Sequence, residues 1–241
     1  MKTKFKSIIR NACHSFGGAV CAGAILLTAS SAHGNTIFDT TPAWNGASVV
    51  VPFSLDGNAT YGQTITSPMQ DTKLTSFTFW VFDYYPMEGD TPLKFGGYVM
   101  AWDGSKADGP VLYTSPMQTG AGWGPTKYTF DTGGIQLAPG GSYVLFVSLS
   151  QSSEQGLNGS GGLGIPFNTD AYSGGMLVSS SNGTDFSALS TSDWYAVPSW
   201  DLAFQATFVP EPSILGLLAV GATALLVRRR NLNLPVRRCV P

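Results

Sequence analysis

Trp44, Tyr84, Tyr85, Trp123 and Trp194 fall in turn-rich stretches of the sequence, with Tyr195 beside the last of them. A ring held at a loop or strand end can offer its π face to the C–H face of a sugar. Polar neighbours such as Asp83, Asn182 and Asp193 would then fix the sugar's orientation. The competing role for each ring is to close the end of a core. Trp80, Trp102 and Trp200 lie inside strand-like patterns and read as core or sheet-face residues.

Carboxylates offer a second chemistry. Glycoside hydrolysis needs two acids about 5–9.5 Å apart, and the candidates are Asp83, Glu88 and Asp90 in the loop 83–91, or Asp193 and Asp201. Asp103 and Asp108 share a short loop and could lend oxygens to a structural Ca²⁺, the one ion the sequence suggests. Lys106 between them counts against it. Aspartates in turns also bond nearby backbone amides, which is their commoner use. No catalytic residue is assigned on these grounds.

Other chemistries lack their residues. The histidines are His14 and His33, and the cysteines are Cys13, Cys21 and Cys239, so neither type occurs between residues 34 and 238. Ser-His-Asp and Cys-His catalysis therefore have no base there, and zinc has no His or Cys ligand. The glycine cluster at 159–164 contains no Lys and reads as a flexible surface loop rather than a phosphate cradle. Residues 35–209 contain no Arg and four Lys against twelve Asp and two Glu, a net charge of −10. Nucleic acid is excluded as a partner, since its phosphates are held by Lys and Arg.

The elements that would position these groups are short strands. Runs at 48–54, 61–65, 74–82, 95–102, 111–114, 127–130, 142–150, 174–179 and 199–208 alternate with turn signals such as Asp56-Gly57, Asp103-Gly104 and Asn182-Gly183. In the third run Phe77, Phe79 and Val81 share a face. Gly96-Gly97 suggests a bulge in the fourth. Nothing in this region has a 3.6-residue period. The expected fold is all-β, a β-sandwich or jelly roll over residues 35–208.

The two ends are of another kind. Residues 1–34 carry Lys2, Lys4, Lys6 and Arg10, then an apolar stretch, then small residues around Ala32 and Gly34. That order predicts a signal peptide removed by signal peptidase. Residues 209–241 hold Pro210, Glu211 and Pro212, then an apolar helix over 213–227, then Arg228, Arg229 and Arg230. The helix is short for a transmembrane span, and its flanking arginines place the far end in the cytoplasm.

This tail resembles the PEP-CTERM sorting signal of Gram-negative bacteria, on the strength of Pro210-Glu211-Pro212, the helix and the Arg cluster. The resemblance implies an exosortase substrate: exported, anchored transiently in the inner membrane, then released to the cell surface or beyond. The chain runs on past the Arg cluster to Pro241, further than that signal usually does. The central region is similar to jelly-roll domains common among such proteins. The similar features are Gln63-Thr64-Ile65 ahead of the long strand, Leu137-Ala138-Pro139-Gly140-Gly141-Ser142-Tyr143, and Asp201-Leu202-Ala203-Phe204. The expected function is a non-enzymatic surface or matrix protein associated with exopolysaccharide. A purely structural or adhesive protein and a carboxylate-dependent glycoside hydrolase are the alternatives.

Overall fold

A computed structural model describes residues 34–85, 91–152 and 159–210. The signal peptide, the helix over 213–227, Glu211, Pro212, Arg228, Arg229, Arg230, Glu88 and Asp90 lie outside the described residues. Gly34–Glu211 forms one unit of the chain, and the second unit, Met1–His33 with Pro212–Pro241, falls on residues outside that description.

Among the described residues thirteen strands build two antiparallel sheets. They are β1 Thr36–Asp39, β2 Val49–Ser54, β3 Thr60–Thr66, β4 Lys73–Asp83, β5 Lys94–Trp102, β6 Ala107–Thr114, β7 Gln118–Thr119, β8 Pro125–Gln136, β9 Ser142–Ser148, β10 Ser160–Gly164, β11 Leu177–Ser180, β12 Tyr195–Val197 and β13 Phe204–Val209. A single-turn helix, α1, spans Ala188–Thr191. Among the described residues no helix is long and apolar enough to cross a membrane.

β4 organises the first sheet. One of its edges pairs with β8 from Lys73 to Phe82. The other takes β13 along residues 73–79 and then β10 along residues 81–83. β1 extends the sheet beyond β13, and β2 extends it beyond β10. The second sheet runs β12-β11-β3-β9-β5-β6, with β7 on the first residues of β5. Leaving aside the short strands, the orders are β1-β13-β4-β8 and β3-β9-β5-β6, and β3, β4, β5, β8, β9 and β13 alternate between the sheets.

The alternation in β4 explains the layering. Successive side chains of a strand point to opposite faces. Phe77, Phe79 and Val81 are buried in a core shared with Tyr61, Ile65, Leu145 and Val147 of the facing sheet. Each such side chain contributes about 2 kcal/mol by leaving water. At Gly97 on β5 the two sheets approach closely, since a Cβ there would lie 2.5 Å from Phe130 on β8. The Gly96-Gly97 pair is therefore a close approach and not a bulge. Its ladder with β9 is continuous from Gly96 to Ala101, and the irregularity in β5 falls later, against β6.

The outer faces of the sheets differ. Outside the second sheet, Tyr98, Met100, Trp102, Val144, Phe146 and Val178 form another cluster under Leu189 and Trp194. That sheet is thus covered on both faces, which is why β3 and β9 are nearly continuous buried runs. The 159–164 segment also departs from expectation. Ser160–Gly164 is strand β10, wedged between β2 and β4, with Gly161–Gly164 buried. A Cβ at Gly161 would lie 2.1 Å from the Phe82 carbonyl oxygen, so glycine is required by packing rather than by flexibility.

Candidate binding face

The outer face of the first sheet is built from the β4 residues that alternate away from the core. Trp80 and Phe82 stand on it, and Tyr84 continues the row just past the strand, its amide donating to the Ser160 carbonyl at 3.0 Å. A half-buried sheet would place polar residues there. Here the positions carry three aromatic rings, and two more rings are brought to them from elsewhere in the chain.

Trp44 follows the 3₁₀ turn Thr41–Ala43. Its indole Nε1 donates to the Ser48 carbonyl at 2.8 Å, and its ring centroid lies 5.8 Å from that of Trp80. Gly164 leaves room for it, because a Cβ there would meet Trp44 at 2.8 Å. Trp123 arrives from the turn before β8. Gly122 at φ +90° and Gly124 at φ +105° flank it, a backbone course suited to glycine. Its ring stands edge-on to Phe82 at 5.9 Å and tilted against Tyr84 at 5.8 Å, and the residue is 60% exposed.

Trp44, Trp80, Phe82, Trp123 and Tyr84 therefore form one strip. Lys127, opposite Trp80 on β8, holds its ammonium 5.5 Å from the Trp80 ring centroid. A polar row crosses the sheet beside the strip: Asp39, Gln205, Thr78 and Thr129 lie in register on β1, β13, β4 and β8. Gln205 Nε2 donates to Asp39 Oδ2 at 2.9 Å, and the Thr78 and Thr129 hydroxyls are 2.9 Å apart. Burial pushes the Asp39 carboxyl up, but hydrogen bonds from Thr41 and Gln205, with the charge of Lys127, outweigh it and leave the group below its ordinary value.

Of the rings singled out in the sequence, Trp44, Tyr84 and Trp123 come together. Tyr85 is 36% exposed and its amide donates to Asp83 Oδ1 at 3.0 Å. Trp194 is a correction. It is 6% exposed, its Nε1 donates to the Leu189 carbonyl at 2.9 Å, and its ring packs edge-on against Trp102 and Phe146. Its faces are spent on covering the second sheet. Trp80, which the sequence reads as a core or sheet-face residue, stands on the outer face, and Phe82, which carries no assignment from sequence, stands beside it; the inward run Phe77, Phe79, Val81 implies that both face out.

The polar residues named from sequence are committed to structure. Asp83 is buried and accepts from the amides of Tyr85 and Leu93. Asp201, 1% exposed, accepts from Gln63 Nε2 at 2.7 Å and from the amides of Ala171 and Tyr172 at 2.8 Å each. Burial raises its pKa despite these donors. Asn182 Oδ1 accepts from Thr60 Oγ1, and Asp193 Oδ1 from Ser105 Oγ. Asp103 accepts from the amides of Ser105 and Lys106 and pairs with the Lys106 ammonium at 3.0 Å, which makes it a turn residue with both oxygens occupied. Among the described residues no three His, Cys, Asp or Glu side chains are grouped as metal ligands would be.

A family model for the PEP-CTERM protein-sorting motif matches residues 208–230. The chain carries a PEP-CTERM sorting signal. It is accordingly an exported, exosortase-processed protein of the cell surface. The match begins at Phe208, inside β13, and that strand ends at Val209, directly before Pro210. The signal thus starts where the last strand of the first sheet stops.

No curated protein matches the chain. Among solved structures it is similar to the cysteine protease and lectin-like domains of Cwp84, a surface layer associated protein of Clostridium difficile. The TM-score is 0.42 and the identity 12%, over 63% of this chain and 32% of that one. A clostridial cysteine protease Cwp84 after propeptide cleavage gives 0.49 and 11%, over 73% and 40%. Infectious bursal disease virus, Gx strain, gives 0.25 and 15%, over 82% and 48%. The chain spans less than half the length of each.

Proposed function

We propose that this exported surface protein is non-enzymatic and attaches to extracellular polysaccharide through the aromatic strip on its first sheet. Signal peptidase removes residues 1–34, the helix over 213–227 holds the chain transiently in the inner membrane, and exosortase processing frees it. The domain between is read as a jelly roll, which the strand orders β1-β13-β4-β8 and β3-β9-β5-β6 support.

The observation that carries the reading is the asymmetry of the two outer faces. The second sheet has a lid of Leu189 and Trp194, whereas Trp44, Trp80, Phe82, Tyr84 and Trp123 share an outer face on which Trp123 is 60% exposed. Trp123 is exposed and the other four rings are half-buried, and an aromatic cluster of this size at the surface marks an interaction site. Sugar C–H faces stack on them, and the neighbouring Asp39, Gln205 and Thr129 supply hydrogen-bond partners for hydroxyls. The reading uses no cofactor and assigns no reaction to the carboxylates.

The test is retention in the host's extracellular matrix. Wild-type protein is expected to fractionate with matrix polysaccharide and to leave it when the polymer is enzymatically digested. The Trp80→Ala/Trp123→Ala double variant is expected in the free medium. Equal retention of both would point to the structural or adhesive alternative.

A further inference from the structure

Resting on that reading, we infer that the polymer held by the strip is an uncharged polysaccharide, bound along an extended stretch and not at a chain end. Charge makes the first part of the case. Residues 35–209 have a net charge of −10 and no Arg. Of the four Lys, Lys106 is paired with Asp103. Lys94 lies on β5 of the other sheet, and Lys73 lies along Gly134, whose Cβ would meet its side chain at 2.2 Å. Lys127 alone stands at the strip, and it is drawn to the Trp80 ring and to Asp39.

A uronate or sulfated polymer presents an anion at every repeat. It would meet one cation here, and Asp39 and Asp131 on the same outer face would repel it. A neutral polymer presents C–H faces and hydroxyls, for which rings, a carboxylate, an amide and threonine hydroxyls are complementary partners.

Shape makes the second part. Trp80, Phe82 and Tyr84 recur every second residue along one strand direction, roughly 6.5–7 Å apart. Beside Phe82 on β10 stands Gly162, which adds no side chain to the face. Among the described residues the aromatic row thus forms an extended platform, a shape that suits a polymer lying along it and not a chain end. Such a surface gathers its affinity from several weak stacking contacts along a chain.

The test uses the purified full-length chain and the host's matrix polysaccharide, separated by anion exchange into neutral and acidic fractions, in binding assays at low and high salt. The inference expects saturable binding to the neutral fraction that salt leaves unchanged. Trp80→Ala and Trp123→Ala are each expected to weaken it about tenfold, and Lys127→Gln to leave its salt response flat. Saturable binding to the acidic fraction that weakens with salt would overturn this inference while leaving the polysaccharide-binding reading intact. Binding to neither fraction would overturn both.

Discussion

Trp194 meets Trp102 edge-on with ring centroids 5.6 Å apart, on the outer side of the second sheet. The pair seals that face, while Trp123 lies in the open on the other. Truncating the two exposed-looking tryptophans should therefore have opposite consequences. Trp194→Ala removes a buried ring and leaves a cavity, for an expected cost of about 3–5 kcal/mol. Trp123→Ala should cost less than about 1 kcal/mol. Urea denaturation of both, at unchanged m-value, reads the difference.

Gly97 faces the Phe130 ring so closely that even a methyl group has no room. Gly97→Ala should destabilise the domain by about 1–3 kcal/mol through overpacking. Adding Phe130→Leu should cost less in the Gly97→Ala background than in wild type, because the smaller side chain relieves the clash. A double-mutant cycle measured by thermal unfolding checks this coupling.

The pH response of Asp201 has a definite sign. Its folded pKa is raised above the ordinary 3.8, so the folded state binds this proton more tightly than the unfolded state does. The burial penalty is full at neutral pH and is relieved as pH falls through the raised value toward the unfolded one. Wild type should therefore gain stability relative to Asp201→Asn on acidification across that window. A wild-type Tm that falls relative to the variant's would show instead that the three donors dominate and hold the pKa down.

The sorting signal predicts a processing defect separable from folding. Replacing Pro210, Glu211 and Pro212 with alanine should leave the full-length chain in the membrane fraction of an exosortase-bearing host. Wild type should appear shortened and outside the membrane. Cell fractionation with mass measurement of both products distinguishes the two.

Much of this architecture is legible in the sequence because strand alternation and turn chemistry are local. The long strand at 74–82 and the Pro139-Gly140 turn into Tyr143 occupy the places their residue types demand. Gly140 takes φ +65°, and the Tyr143 hydroxyl accepts from the Ala138 amide at 2.8 Å. What was not legible depends on contacts distant in sequence. β10 reads as a loop because all four positions from 159 to 162 are glycine or serine, and only the backbone of β4 explains them. β1 is a strand because β13 lies beside it. Trp194 and Trp123 occupy similar turn-rich settings in sequence, and only the lid over the second sheet separates a core ring from a surface one. The candidate face was half visible for the same reason: its β4 row follows from alternation, while Trp44 and Trp123 join it through loops.

The most direct test of the polysaccharide-binding face uses the six tryptophan indole N–H signals in an NMR titration with soluble fragments of the neutral matrix polysaccharide. The account predicts that the signals of Trp44, Trp80 and Trp123 shift together and saturate at one concentration, while those of Trp102 and Trp194 stay in place. Shifts confined to Trp102 and Trp194, or a saturable interaction that moves none of the three strip signals, would contradict it.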